Sequence, residues 1–230
     1  MLPRSMAANS NPAVPQDYYR PPVSVSADWA NPAVLGLMGF GTTTMLAGIA
    51  NTAYGGLWQI GSGGLPGDTV LGMAIFFGGL CQLFAGLIAL RKGEIFAGTA
   101  FTGYGAFWMA YVFIVFEVFS GNPAPDPYVV AGLMWFSIVW ALFTFTFFVN
   151  APKHGVGLTI LFALLTIAFI LLAINFGNSY TGMAWAAPAG VPAWYQNFMG
   201  LEIFITGALA VYLAFGILTN TNYGRKIVPI

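Results

Sequence analysis

The sequence predicts an all-α, polytopic membrane protein built as a bundle of six transmembrane helices. The first observation is composition: 58% of the 230 residues are hydrophobic and only 6% are charged, whereas soluble domains carry roughly 25% charged residues. A soluble fold of this size cannot bury so much apolar surface, but lipid can accommodate it. The second observation is that the apolar residues are grouped in stretches of the ~20 residues that a membrane span needs.

Six apolar segments meet this length, and Gly, Pro and polar residues separate them. The predicted spans are 33–50, 69–90, 97–119, 128–149, 156–176 and 198–219. Small residues recur within these spans, which favours close packing between the helices. A bundle packed in this way leaves room for a small solute and little more.

The basic residues give the predicted direction of the spans. With six spans, all seven Lys and Arg residues fall on one side of the membrane: Arg4, Arg20, Arg91, Lys92, Lys153, Arg225 and Lys226. Five or seven spans would remove this separation. Because basic loops stay on the cytoplasmic side, we expect both termini to be cytoplasmic and the protein to lie in the cytoplasmic membrane.

This topology divides the chain into three parts. Residues 1–30, rich in Ser, Asn, Pro and Tyr, are predicted to form a flexible cytoplasmic tail. Residues 31–220 are predicted to form the transmembrane domain, and residues 221–230 a C-terminal cytoplasmic tail.

The composition and motifs also exclude several classes of function. A net charge of zero leaves no basic face for nucleic acid. Cys81 is the single cysteine. Because the sequence has no hydrolase, phosphate-binding or metal-ligand motif, we expect no enzyme activity, cofactor or metal.

Span one opens with Asn31 and Pro32, which suit a helix start. The free N–H groups there can bind an anion, although an ordinary capped helix start is the commoner explanation of such a pair. Further along the span, the hydroxyl groups of Thr43 and Thr44 can bond to the carbonyl one turn back or line a polar path. The sequence leaves both alternatives open.

Four further polar residues lie in or near hydrocarbon, where a polar group needs a partner. The amides of Asn51 and Gln82 can bond to a neighbouring helix or face a path through the bundle. Glu117 and Glu202 lie near the outer ends of spans three and six, where no Lys or Arg is predicted. A carboxyl group buried without a cationic partner tends to keep its proton. The two glutamates are therefore candidate proton sites, unless they reach the headgroups and stay solvated.

The segment NPAVLGL at 31–37 resembles the NPAPLGL signature of the acetate uptake transporter family, also called succinate–acetate permeases. Val34 stands where the signature has Pro. Four other segments agree with the family: MGFGTTTML at 38–46, FFGGLCQLFAGL at 76–87, KGEIFAGTAFTGYGAFW at 92–108 and NYGRKIVP at 222–229. The resemblance runs from residue 31 to the C-terminus.

The resemblance implies uptake of acetate, and in some members succinate, coupled to protons, with channel-like behaviour as an alternative. It also implies six helices per protomer and a hexameric ring with a pore in each subunit. The family's hydrophobic constriction falls at Phe40, Tyr104 and Leu165, and a small residue that affects selectivity falls at Ala210. Asn31 carries the polar residue of the signature.

Two other functions stay open at this point. A channel for a small neutral solute, such as urea or a short amide, also needs a narrow gated pore. A membrane subunit or acetate sensor that transports nothing would use the same helices without permeation.

Overall fold

The computed structural model describes residues 29–52, 65–119, 127–179 and 191–230, with the side chains at 65–68, 116–119, 127, 129 and 179 also outside the described set. The predicted tail up to residue 28 therefore lies outside the described residues. Within these ranges six helices are long and apolar enough to cross a membrane. The prediction of six spans in an all-α bundle is confirmed.

Five spans are single helices and one is interrupted. The second span consists of two α-helices joined by a π-helical segment, and a short 3₁₀ turn precedes α6. The elements in chain order are α1 (Ala33–Ala50), α2 (Leu65–Ile75), the π segment (Phe76–Cys81), α3 (Gln82–Arg91), α4 (Ile95–Phe119), α5 (Pro127–Asn150), the 3₁₀ turn (Ala151–Lys153), α6 (Val156–Ser179) and α7 (Ala193–Tyr223).

The helices surround a central space. Helix α1 packs against α7 on one side and against the π segment and α3 on the other, while α3 packs on α4, α5 on α6 and α6 on α7. Aromatic rings join α4 to α5, with the centroids of Phe107 and Trp140 5.0 Å apart and those of Tyr104 and Phe143 5.5 Å apart. These contacts complete a ring of helices around the space described below.

Glycines set the closest approach in the bundle, between α1 and α7. Gly41 faces Gly207, and Gly48 faces Gly200. A Cβ added at any of these four glycines would meet backbone atoms of the other helix. Two antiparallel helices can approach this closely only where neither carries a side chain at the contact. The small residues noted in the sequence therefore lie where the two helices touch.

The bundle has two ends, which we call the terminal face, where α1 begins and α7 ends, and the opposite face. Since successive spans are antiparallel, the loops that hold Arg91, Lys92 and Lys153 lie at the terminal face together with Arg225 and Lys226. After α7, Gly224 adopts a left-handed conformation with a φ of 61°. The chain then turns back along α7 as far as Ile230.

Candidate functional site

Among the described residues, a larger and a smaller cavity lie inside the ring of helices, one above the other. The larger has a volume of about 490 Å³ and reaches the terminal face, where Phe96, His154 and Ile230 line it. The smaller, of about 50 Å³, extends towards the opposite face, where Asn51 and Phe176 line it. Together the two cavities mark a path through most of the bundle.

The cavities meet at Phe40 of α1 and Leu165 of α6, which line both of them. Tyr104 of α4 lines the larger cavity at this level, and its ring centroid lies 5.5 Å from that of Phe40. All three side chains are buried. In channels, constrictions of large apolar side chains act as gates against water and bare ions.

The hydroxyl group of Tyr104 is held in place by a neighbouring helix. It donates a hydrogen bond of 2.9 Å to Oγ1 of Thr144 on α5, and both side chains are buried. The rings of Trp140, Phe143 and Phe162 surround the Tyr104 ring, and their centroids lie 5.5 to 6.4 Å from its centroid. The hydroxyl oxygen keeps the capacity to accept a hydrogen bond, so Tyr104 can still contact a solute at the junction.

Gln82 lines the larger cavity and is only 1% exposed. Within the part of the chain that the structure describes, neither its Oε1 nor its Nε2 has a hydrogen-bond partner. A buried polar group left without a partner costs about 1–3 kcal/mol. Gln82 is the first residue of α3, directly after the π segment, and π-helical segments are frequent at functional sites.

Thr44 and Asn51 line the smaller cavity. The hydroxyl of Thr44 donates to the carbonyl of Phe40 at 2.7 Å, and Nδ2 of Asn51 donates to the carbonyl of Ala47 at 2.8 Å. The Thr44 contact is the bond to the carbonyl one turn back that the sequence allowed, whereas the amide of Asn51 bonds within its own helix and not, as predicted, to a neighbouring helix. Oδ1 of Asn51 has no partner among the described residues, so it can accept a hydrogen bond at this end of the path.

Three of the predicted path residues line neither cavity. Asn31 is exposed, and its Oδ1 accepts a 2.9 Å hydrogen bond from the backbone N–H of Ala33, which is a capping contact. Thr43 is fully buried against Gly78 of the π segment, and Ala210 is fully buried in α7. The roles given to these residues in selectivity and binding stay predictions.

The two carboxyl candidates differ in what the structure describes. Glu202 is 8% exposed. Its Oε1 accepts a 3.1 Å hydrogen bond from Oγ1 of Thr206, while its Oε2 is buried and has no partner in the described ranges. The next residue, Ile203, lines the smaller cavity. Glu117 lies in α4, but its side chain falls outside the described residues.

His154 is not among the site residues predicted from the sequence. The residue is exposed, but its ring stacks on Phe96 with centroids 4.0 Å apart, at the mouth of the larger cavity. Ile230 was missed as well. It reaches the cavity because Asn220 holds the returning chain: its Oδ1 accepts from the N–H groups of Ile227 (2.7 Å) and Val228 (2.9 Å). The positions of His154 and Ile230 at the cavity could not be predicted from the local sequence, because they result from tertiary packing.

The fold and the cavities define the class of protein. Six membrane-crossing helices around two internal cavities, closed from each other by buried apolar side chains, have the architecture of a multi-pass membrane transporter or channel. Residues 15–224 match the model of the GPR1/FUN34/yaaH family. The chain belongs to this family, which confirms the resemblance found in the sequence motifs, although the match begins at residue 15 and not, as predicted, at residue 31.

Characterised relatives of the chain include membrane transporters. The chain is 39% identical over 202 residues to the succinate-acetate/proton symporter SatP of Escherichia coli, covering 87% of this chain and 95% of that protein. It is similar to the solved structure of the bacterial acetate channel SatP, with a TM-score of 0.73 and 37% identity over 88% of this chain and 99% of that one. The ammonia transport outward protein 2 of Saccharomyces cerevisiae is 33% identical over 181 residues, covering 75% of this chain and 62% of that protein.

Proposed function

We propose that this protein carries acetate and related small carboxylates, including succinate, across the cytoplasmic membrane through a path inside each protomer. The observation that carries the proposal is the meeting of the two cavities at Phe40 and Leu165. A solute that passes this junction moves from one face of the bundle to the other. Named relatives that move succinate and acetate support the choice of substrate.

The lining of the path favours a small acid that sheds its water. No Asp, Glu, Lys or Arg lines either cavity in the part of the chain that the structure describes. Polar contacts are limited to a few side chains, such as Gln82, Tyr104 and Asn51. Apolar walls with a few well-placed polar groups are typical of sites for small organic solutes. Hydrated inorganic ions would find too few ligands to replace their water.

Uptake of labelled acetate into vesicles tests the proposal directly. We expect reconstituted protein to take up acetate well above vesicles without protein, and an inward proton gradient to increase this uptake. Labelled urea in the same vesicles is the comparison, because urea stands for the neutral-solute alternative. Urea uptake without acetate uptake would favour that alternative, and no flux of either solute would favour a subunit or sensor that does not transport.

The neutral-solute alternative has one observation in its favour. The unpartnered amide of Gln82 in an uncharged part of the cavity would bind urea or a short amide as readily as an acid. Ammonia, named for the yeast relative, is also neutral. The relatives named SatP nevertheless act on acetate, so the carboxylate function remains our proposal.

We further propose that Glu202 delivers protons to acids that enter from the opposite face. Its carboxyl group is buried, and one of its oxygens has no partner among the described residues. The next residue in the chain, Ile203, lines the smaller cavity. Glu117 is the second candidate, from its position near the end of α4.

We also propose that both termini lie in the cytoplasm and that six protomers assemble into a ring.

Replacement of Glu202 by glutamine is expected to slow acetate uptake most near neutral pH, where few acid molecules in solution carry their own proton. At mildly acidic pH the variant is expected to approach the wild-type rate, because the acid arrives protonated. Initial rates measured across this pH range check the expectation. Glu94→Gln is the matched control, since Glu94 lies at the terminal face, 3.4 Å from Lys92. An unchanged pH profile in both Glu202→Gln and Glu117→Gln would exclude carboxyl-based proton delivery.

A further inference from the structure

Gln82 presents two unused hydrogen-bonding atoms to the same cavity. The side chain is 1% exposed, and both its acceptor Oε1 and its donor Nε2 lack partners among the residues that the structure describes. A primary amide holds these two atoms about 2 Å apart on one plane, with opposite hydrogen-bonding character. The side chain therefore offers a donor and an acceptor side by side to whatever enters the cavity.

The other polar groups of this cavity do not supply a positive charge at that depth. The titratable residues that line it are Tyr104, whose hydroxyl donates to Thr144, and His154, which lies exposed at the mouth and stacks on Phe96. The basic side chains of the described residues lie at the terminal face and line neither cavity. A bare anion at Gln82 would therefore be buried without a counter-charge, which is costly.

The two protonation states of an acid differ in how they fit this amide. A carboxylate only accepts hydrogen bonds, so it could use Nε2 but would place negative oxygens against Oε1. The undissociated acid carries one O–H donor and one carbonyl acceptor on the same edge. Its O–H can donate to Oε1 while its carbonyl oxygen accepts from Nε2, which satisfies both unused atoms at once.

We propose that Gln82 binds the undissociated carboxylic acid through this paired contact, so that acid and proton pass the constriction together as one neutral molecule. The inference rests on the proposed carboxylate function and names the form in which the substrate passes. No bond other than hydrogen bonds forms or breaks at this site. One proton accompanies each acid group, and the step at Gln82 moves no net charge.

Infrared difference spectroscopy of the full-length purified protein distinguishes the two forms of bound acetate. Spectra with ordinary acetate minus spectra with carbon-13-labelled acetate isolate the ligand bands from those of the protein. We expect wild-type protein at mildly acidic pH to show the carbonyl band of a bound carboxylic acid. Gln82→Met, which keeps the side-chain length but removes both polar atoms, should lose this band and bind acetate about tenfold more weakly.

Gln196→Met is the matched control, because Gln196 lies in the first turn of α7 and lines neither cavity. It should retain the band of the bound acid. A band unaffected by Gln82→Met, or wild-type spectra that contain carboxylate bands only, would overturn the inference.

A second measurement needs only the wild-type protein. Acetate uptake into vesicles should not change when a potassium gradient with valinomycin imposes a membrane potential of either sign. Uptake that changes with the membrane potential would overturn the inference that the acid passes as a neutral molecule. The proposed transport of carboxylates would still stand. Absence of any acetate uptake by the wild type would instead overturn the proposed function, and this inference with it.

Discussion

Replacement of Leu165 by alanine is expected to raise uptake of succinate relative to acetate by about tenfold or more, since a single methylene group in an apolar pocket already changes discrimination by roughly that factor. Leu165 is one of the two residues that line both cavities, and alanine removes most of its side chain. The junction widens where the longer dicarboxylate must pass. Competition between labelled succinate and labelled acetate in the same vesicles measures the ratio.

The neighbouring residue provides the control for this experiment. Leu164 lies on the same helix but lines neither cavity, so Leu164→Ala removes the same atoms from α6 without widening the path. It should keep the wild-type ratio of the two acids. If both variants gave the wild-type ratio, the constriction would not be at Leu165. Size-exclusion profiles of both variants check that neither has lost its assembled form.

The spans could be predicted from the sequence because they depend on length and composition. The first predicted span, 33–50, has the bounds of α1, and the other five overlap their helices. The π segment could not be predicted in this way, because its residues, Phe76–Cys81, are as apolar as a regular helix. The return of the chain after α7 also escaped prediction, since Asn220 holds it through tertiary hydrogen bonds.

The site was predictable in part. Phe40, Tyr104 and Leu165 came from the family resemblance, because apolar residues in an apolar helix carry no periodic signal that separates a path from a packed core. The threonines of α1 illustrate the difficulty. Thr44 lines the smaller cavity while Thr43, one residue earlier, packs against Gly78. Adjacent residues differ by about 100° around a helix, and only the arrangement of neighbouring helices decides which one faces the path.

The contact between α1 and α7 leads to the second large effect: Gly48→Ala is expected to destabilise the folded bundle by about 1–3 kcal/mol or more. A Cβ at residue 48 would lie 2.5 Å from the backbone nitrogen of Phe204 and 2.7 Å from the carbonyl oxygen of Gly200. Backbone atoms of a packed helix cannot move aside as a flexible side chain can. The two helices must separate, and α7 carries Ile203 and Leu213 of the cavity walls with it.

Gly72 distinguishes this steric effect from the general effect of replacing a helical glycine. It lies within α2, and a Cβ there would meet no atom of the described residues within 4 Å. Because alanine favours a helix over glycine by about 1 kcal/mol, Gly72→Ala should be neutral or slightly stabilising. The two variants are compared by heating each in detergent and measuring the fraction of the protein that remains monodisperse at each temperature. Equal stability of Gly48→Ala and Gly72→Ala would mean that α1 and α7 do not approach as closely as described, and that the walls of the path have a different arrangement.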